Sequence, residues 1–200
     1  MKLCVLARRI APLLVAGLLA LPALADGRSA PIGAELVRLP APDLAAAQSA
    51  RAQTEGLTMD WLLAQPAPTG DADWQCLTEA LYFESRGESL QGQIAVAEVI
   101  LNRVDSALYP RSVCGVVKQR GGGGCQFSYV CDGKKRMREK AAADLSGRIA
   151  RAMLDGAPRL LTDGATHFHT RQVRPGWSRR FAHTASIGAH LFYRQPLPRS

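Results

Sequence analysis

Two apolar helical periodicities meet at one polar corner between Trp74 and Arg103, and a helical core is the structure that accommodates both. Trp74, Leu77 and Leu81 recur at helical spacing, with Ala80 and Phe83 beside them. Ile94, Val96, Ala97, Val99, Ile100 and Leu101 then follow so densely that the second run is apolar nearly all round, the pattern of a buried helix. Between them stands Glu84-Ser85-Arg86-Gly87-Glu88-Ser89. Gly87 is placed to stop the first helix and Ser89 to cap the second. A carboxylate at such a junction is partly desolvated, which raises its pKa. A glutamic acid that keeps its proton near neutral pH is what general acid cleavage of a glycoside requires. Spacing alone favours the plainer reading, a solvated Glu–Arg pair at a surface corner.

The first 25 residues read as a separate segment. Lys2, Arg8 and Arg9 precede an apolar run from Ile10 to Leu21, and Ala23-Leu24-Ala25 has the A-x-A form of a cleavage site. This is the pattern of a Sec-type signal peptide, and the run is short for a membrane span. The expectation is therefore an exported chain, periplasmic or secreted, with no stable membrane span after cleavage. Cleavage removes three positive charges and no negative ones, taking the net charge from +8 to +5. A basic exported chain suits an acidic polymer such as peptidoglycan, and export argues against nucleic acid.

Cys4 leaves with the leader, and Cys76, Cys114, Cys125 and Cys131 remain. An even number in an oxidising compartment points to two disulfides, with three pairings open. A four-cysteine zinc site is the weaker alternative, since no C-x2-C pair is present.

Residues 26–71 are rich in Ala and Pro and read as a linker or loosely packed arm. Short helices are expected near Asp43–Gln53 and Thr58–Leu63, and Met59, Trp61, Leu62 and Leu63 are placed to pack on the domain. Beyond the core helix, Tyr109-Pro110 marks a turn and Ser112–Gln119 a short helix. Gly121 to Gly124 form a loop rather than a phosphate-binding one, because no G-K-[ST] follows. Cys125-Gln126-Phe127-Ser128-Tyr129 reads as a short extended segment whose aromatic and polar groups suit sugar faces and hydroxyls. Arg138–Leu154 is an amphipathic helix with Ala142, Leu145, Ile149, Ala152 and Met153 inward. Thr166–Thr170 alternates like a strand, placing His167 and His169 on one face. H-x-H is a weak metal signal, and hydrogen-bonding histidines at a groove are the preferred reading, with no metal and no cofactor. Trp177 stands among Arg171, Arg174, Arg179 and Arg180, which suits an acidic glycan or an ordinary basic hairpin. Ala185–Tyr193 reads as one closing element.

Glu84-x-Arg86-Gly87-Glu88, followed by Gly92-Gln93-x-Ala95-Val96-Ala97-x-Val99-x-Leu101-Asn102-Arg103, resembles the SleB/CwlJ-type cell wall hydrolases. Cys114-Gly115-Val116-Val117, Cys125–Tyr129, Cys131-Asp132-Gly133 and Ala165-Thr166-His167-Phe168-His169 continue the resemblance in order, over residues 72–195. It implies a single lysozyme-like domain, α+β and mainly helical, with a small β-hairpin region. It implies Glu84 as the single acid/base of a lytic transglycosylase that cuts between N-acetylmuramic acid and N-acetylglucosamine. It also implies a glycan groove lined by Gln126, Phe127, Ser128 and Tyr129. Glu88, Gln93, Asn102, His167, His169 and Trp177 are further substrate-side candidates. Glu88 is expected to pair with Arg86 or cap the next helix, and Asn102 and Arg103 to brace the corner. The partner implied is peptidoglycan, bound by a monomer. A hydrolytic muramidase, a zinc amidase or peptidase using His167 and His169, and a non-catalytic peptidoglycan-binding module are the alternatives.

Overall fold

The computed structural model of the chain describes residues 56–121, 124–133 and 136–198. The expected leader at 1–25, the arm up to residue 55 and the helix expected near 43–53 lie outside it. Each early helix starts where a short polar side chain can take up a free backbone N–H. Thr58 accepts from Trp61 N and opens α1 (Met59–Ala64). Asp71 accepts from Trp74 N at 3.0 Å and opens α2 (Ala72–Ser85). Ser89 accepts from Gly92 N at 3.2 Å and opens α3 (Leu90–Asp105), as its position suggested. Ser112 opens α4 (Val113–Val117) in the same way. A two-residue antiparallel ladder follows, β1 (Arg120–Gly121) with β2 (Gly124–Cys125). Then come the single turn α5 (Ser128–Cys131) and the amphipathic α6 (Lys140–Leu154). The chain ends in strands β3 (His167–Thr170), β4 (Ala182–Ile187) and β5 (His190–Arg194), all antiparallel in the order β3-β5-β4. The architecture is α+β and mainly helical.

Helix α3 forms the centre. Gly92 through Leu101 are all buried, so no side of that run is wet. Ile94, Val96, Ala97 and Ile100 join α2, α4 and α6 in the main core. Ala95 and Val99 face the sheet, where they meet Ala165 and Phe192. Two charged residues are carried inside. Glu98 is 1% exposed and accepts from Leu161 N (3.0 Å), Thr162 N (2.9 Å) and Thr162 Oγ1 (2.6 Å). Arg103 is 2% exposed, donates Nε to Thr166 O and lies over the rings of Tyr109 and Phe127. Asn102 donates to Ala165 O at 2.9 Å. Asn102 and Arg103 therefore brace the segment that feeds β3, at the opposite end of α3 from the Glu84 corner they were expected to hold.

Other expectations also shift. Residues 125–129 are not extended: β2 ends at Cys125, and Ser128 begins a helical turn that buries Phe127 and Tyr129. Burial of two large rings outweighs an extended course for this segment. Ala185–Tyr193 is a hairpin with its turn at Gly188-Ala189 rather than one element. Helix α6 starts at Lys140, because the Tyr82 hydroxyl accepts from both Arg138 N and Glu139 N just before it. The end of the arm docks on α6. Leu62 is fully buried, and one nitrogen of Arg148 donates to Leu62 O at 3.0 Å and Gln65 O at 2.6 Å. Trp61 is half-buried, while Met59 and Leu63 stay exposed.

Of the three possible cysteine pairings the fold takes Cys76–Cys114 and Cys125–Cys131. The first joins α2 to α4 across 38 residues, beside the bond from Cys114 N to Asp73. The second closes a loop of 6 residues around α5. Loop-closure entropy grows with loop length, so the two bonds differ in worth. Replacing Cys76 and Cys114 by Ala is expected to cost roughly 4 kcal/mol, and replacing Cys125 and Cys131 roughly 2 kcal/mol. Urea denaturation of the two paired variants checks the order.

Candidate active site

Glu84 occupies the last turn of α2, half-buried. Burial pushes its carboxyl pKa up, and among the described residues no neighbouring charge is a resolved cause against that shift. The C-terminal pole of α2 carries partial negative charge and works in the same direction. Arg86, two residues on, does not compensate. Its Nε donates to Glu139 at 3.0 Å, its NH1 donates to Tyr82 O, and the guanidinium lies 4.8 Å from the Tyr82 ring centroid. The surface Glu–Arg pair of the plainer reading does not form; the arginine serves the α2–α6 junction.

Glu88 is also drawn elsewhere, and it neither pairs with Arg86 nor caps α3. Its Oε2 accepts from Ala189 N at 3.1 Å, in the turn of the β4–β5 hairpin, and its Oε1 lies 3.7 Å from His190 Nδ1. Gln93, buried beneath it, donates Nε2 to the Glu88 carbonyl at 3.1 Å. The corner is thus fastened to the hairpin turn through one carboxylate, which fixes the end of α2 that bears Glu84. Gly188, in the left-handed region at φ 57°, lies so close that a Cβ would collide with Glu88 Oε2. Burial lowers the His190 pKa, Glu88 partly restores it, and His169 lowers it again.

Facing α2 is Tyr129. Its ring stacks on Phe83 with centroids 4.6 Å apart and planes at 21°. Its hydroxyl is buried and has no hydrogen-bond partner among the described residues. Burial raises the pKa of this phenol, and the charges of Glu79 and Glu84 raise it further. Gln126 and Ser128, flanking it, are exposed, whereas Phe127 is buried under Arg103. The aromatic members of the segment are therefore inside the protein rather than laid open as stacking platforms, and the polar members face outward.

His167 and His169 do share one face of β3. They meet an aromatic group: His167 lies 4.8 Å from both Trp177 and Phe181, and His169 stacks on Tyr193 at 5.2 Å. His169 also has Nε2 3.3 Å from the Tyr193 hydroxyl. Burial, aided by the Arg103 charge, pulls the His167 pKa down to about 4. Among the described residues no cluster of three or more His, Cys, Asp or Glu side chains is arranged to hold a metal ion. A cleft of about 270 Å³ lies between Trp61, Pro66–Thr69 and α6, and Glu84 does not line it.

The model of the cell wall hydrolase family matches residues 87–193, more than half of the chain. The chain belongs to this family. Similar curated proteins are the spore cortex-lytic enzymes of Halalkalibacterium halodurans, 36% identical over 129 residues, and of Oceanobacillus iheyensis, 34% identical over 122. These matches take in 64% and 60% of this chain but only 36% and 41% of those relatives, so the chain spans well under half of their length. Among solved structures, it is similar to the catalytic domain of the germination-specific lytic transglycosylase SleB from Bacillus anthracis. The TM-score is 0.52 at 31% identity, over 65% of this chain and all of that one. The catalytic domain of the Bacillus cereus SleB protein gives 0.50 at 31% identity, over 64% and 94%.

In this member of the cell wall hydrolase family the sequence reading missed two carboxylates. Glu98 stands without an assigned role within an apolar run, and only its tertiary partners show why a charge is tolerated there. Glu79 lies five residues before Glu84 and acts on the same phenol. No periodicity marks it, because helical spacing does not bring i and i+5 together and a third group has to join them.

Two measurements test the site's construction. Gly188→Ala is expected to cost about 2–4 kcal/mol, of which about 1–2 kcal/mol is left-handed strain. In a Glu88→Ala background only the strain should remain, which a urea double-mutant cycle reads. His167 binds its proton in the unfolded chain near pH 6.5 but in the fold only near pH 4. Stability therefore falls as pH drops from about 6.5 to 4, and His190 contributes in the same sense. His167→Gln should flatten this slope in thermal denaturation across that range.

Proposed function

We propose that this chain cleaves peptidoglycan glycan strands between N-acetylmuramic acid and N-acetylglucosamine, as a lytic transglycosylase with Glu84 as its single acid/base. The observation that carries the reading is the burial of Glu84, which raises its pKa with no compensating charge resolved among the described residues. Such a group holds its proton toward neutral pH and is suited to give it away. In the first step Glu84 protonates the glycosidic oxygen as its bond to the muramyl anomeric carbon breaks. In the second the muramyl 6-hydroxyl attacks that carbon and its proton returns to Glu84, leaving a 1,6-anhydro end. Likeness at 31% identity to the catalytic domain of a germination-specific lytic transglycosylase supports this choice of second step. The substrate is a polyanion, in keeping with the chain's positive charge. The leader pattern supports export, and the reading is of a chain that acts outside the cytoplasm as a monomer.

One observation favours a second reading. Glu79 is another half-buried carboxylate beside Tyr129. A second carboxylate that activated water would make the enzyme a hydrolytic muramidase.

Mass spectrometry of digested peptidoglycan decides between them. The chain is expected to release anhydromuramyl ends, and Glu84→Gln to release none. Reducing ends would establish the muramidase, and cut stem peptides with intact glycan would overturn both. The fold should tolerate the change. A carboxyl whose folded pKa is raised destabilises the protein once pH exceeds that pKa, so Glu84→Gln should match or exceed the wild-type Tm at alkaline pH.

A further inference from the structure

The positive charge of the chain is gathered at one end. Residues 164–200 hold six arginines and no lysine, aspartate or glutamate, whereas residues 26–163 carry 16 basic and 17 acidic side chains. Four of the six, Arg171, Arg174, Arg179 and Arg180, lie between β3 and β4, and all four are exposed. Arginines elsewhere are committed: Arg86, Arg148, Arg151, Arg159 and Arg194 each pair with a carboxylate. The four between the strands make no ion pair and no side-chain hydrogen bond among the described residues. Like charges gathered this way repel, so the cluster opposes folding rather than supporting it.

The loop that carries them is nevertheless well built. Trp177 roots it, with its ring 4.8 Å from His167, 5.5 Å from Tyr193 and stacked on Phe181 at 5.6 Å. A 3-10 turn, Gly176–Arg179, follows Pro175, and the Ser178 hydroxyl donates to Pro175 O at 2.8 Å. The loop also begins at the corner described above. Arg171 N donates to Ala189 O at 3.1 Å, and Ala189 N donates to Glu88 Oε2 at 3.1 Å. A loop that starts on the turn held by Glu88, four residues from Glu84, is placed to meet what Glu84 cuts. That favours a group on the substrate over an anionic lipid surface.

A guanidinium is a planar fork that takes a carboxylate through two parallel hydrogen bonds. A glycan strand whose lactyl groups are joined to peptides keeps its free carboxylates on those stem peptides. One exposed ion pair contributes little, but a polymer with carboxylates at every repeat engages several arginines together. We propose that the loop between β3 and β4 binds the free carboxylates of stem peptides through Arg171, Arg174, Arg179 and Arg180, so that the chain selects glycan strands that carry their peptides. This rests on the reading of the chain as an enzyme that cuts glycan strands.

The test uses purified glycan strands bearing stem peptides, and the same strands with their carboxylates converted to neutral amides by carbodiimide and ammonia. The wild-type chain is compared with a variant combining Arg171→Gln, Arg174→Gln, Arg179→Gln and Arg180→Gln. The wild type is expected to bind untreated strands at least about 10-fold more tightly than the variant does. Amidation should bring the wild type down to the affinity of the variant and leave the variant where it was. Salt at about 0.5 M should narrow the gap. In anhydromuramyl release the loss should fall on KM more than on kcat. The Tm should be unchanged or higher, since relieving like-charge repulsion does not weaken the fold. Equal binding of both kinds of strand by the wild type overturns the proposal, and this arm stands even where the variant folds poorly. Wild-type affinity in a folded variant overturns it as well. Arginine-dependent binding to phosphatidylglycerol vesicles, with strand binding intact in the variant, overturns it in favour of a lipid surface. If the wild type cuts both kinds of strand with one KM, the cleavage reading stands and the role of the loop falls. If it binds through the carboxylates yet cuts nothing, the cleavage reading falls and the role of the loop stands.

Discussion

Because α3 is enclosed along its middle, the protein has to supply a neighbour for every side of it. Helices α2, α4 and α6 cover one part and the sheet covers another. The polar groups such a helix carries need partners inside the protein, and Glu98 is met by Leu161 and Thr162 and the Arg103 Nε by Thr166, all on one segment. That segment feeds β3, so two polar contacts set where the sheet begins. At the other end of the helix, Glu88 reaches the hairpin turn and fastens the same sheet again. The corner bearing Glu84 is thus fixed by the enclosed helix.

This arrangement explains how the pKa of a glutamic acid can be raised in a basic protein. Positive charge is plentiful, but the nearest arginine in sequence is spent on Glu139 and Tyr82. What matters is where each cation is committed, and the excess over the whole chain says little about one carboxyl group. The same holds for the histidines of β3. They look like ligands in sequence, yet Trp177, Phe181 and Tyr193 surround them and His167 is held neutral.

The helices were legible because apolar spacing and caps are local signals. Ser89 and the enclosed α3 could be read directly, and so could the strand alternation at 166–170. The residues that failed to read were those whose partners are distant. Nothing near Glu88 in sequence announces Ala189, a hundred residues on, and nothing near Asn102 announces Ala165. Phe127 and Tyr129 alternate with polar residues as a strand would, but two buried rings and a disulfide impose a helical turn. The cysteine pairing was open for the same reason, since spacing does not encode which helices meet.

The seat of α1 bears on what counts as the smallest piece that folds. The family match starts at residue 87, yet Leu62 is buried against α6 and Arg148 gives its guanidinium to carbonyls at 62 and 65. A fragment cut to the family boundary, or at the start of α2, would uncover an apolar socket and leave Arg148, still paired with Asp144, without the carbonyls its other nitrogen binds. Such a fragment would tend to associate through that socket, and an oligomer seen with it would be a product of the cut. Fragments meant to represent this fold should keep the chain from Leu57 onward.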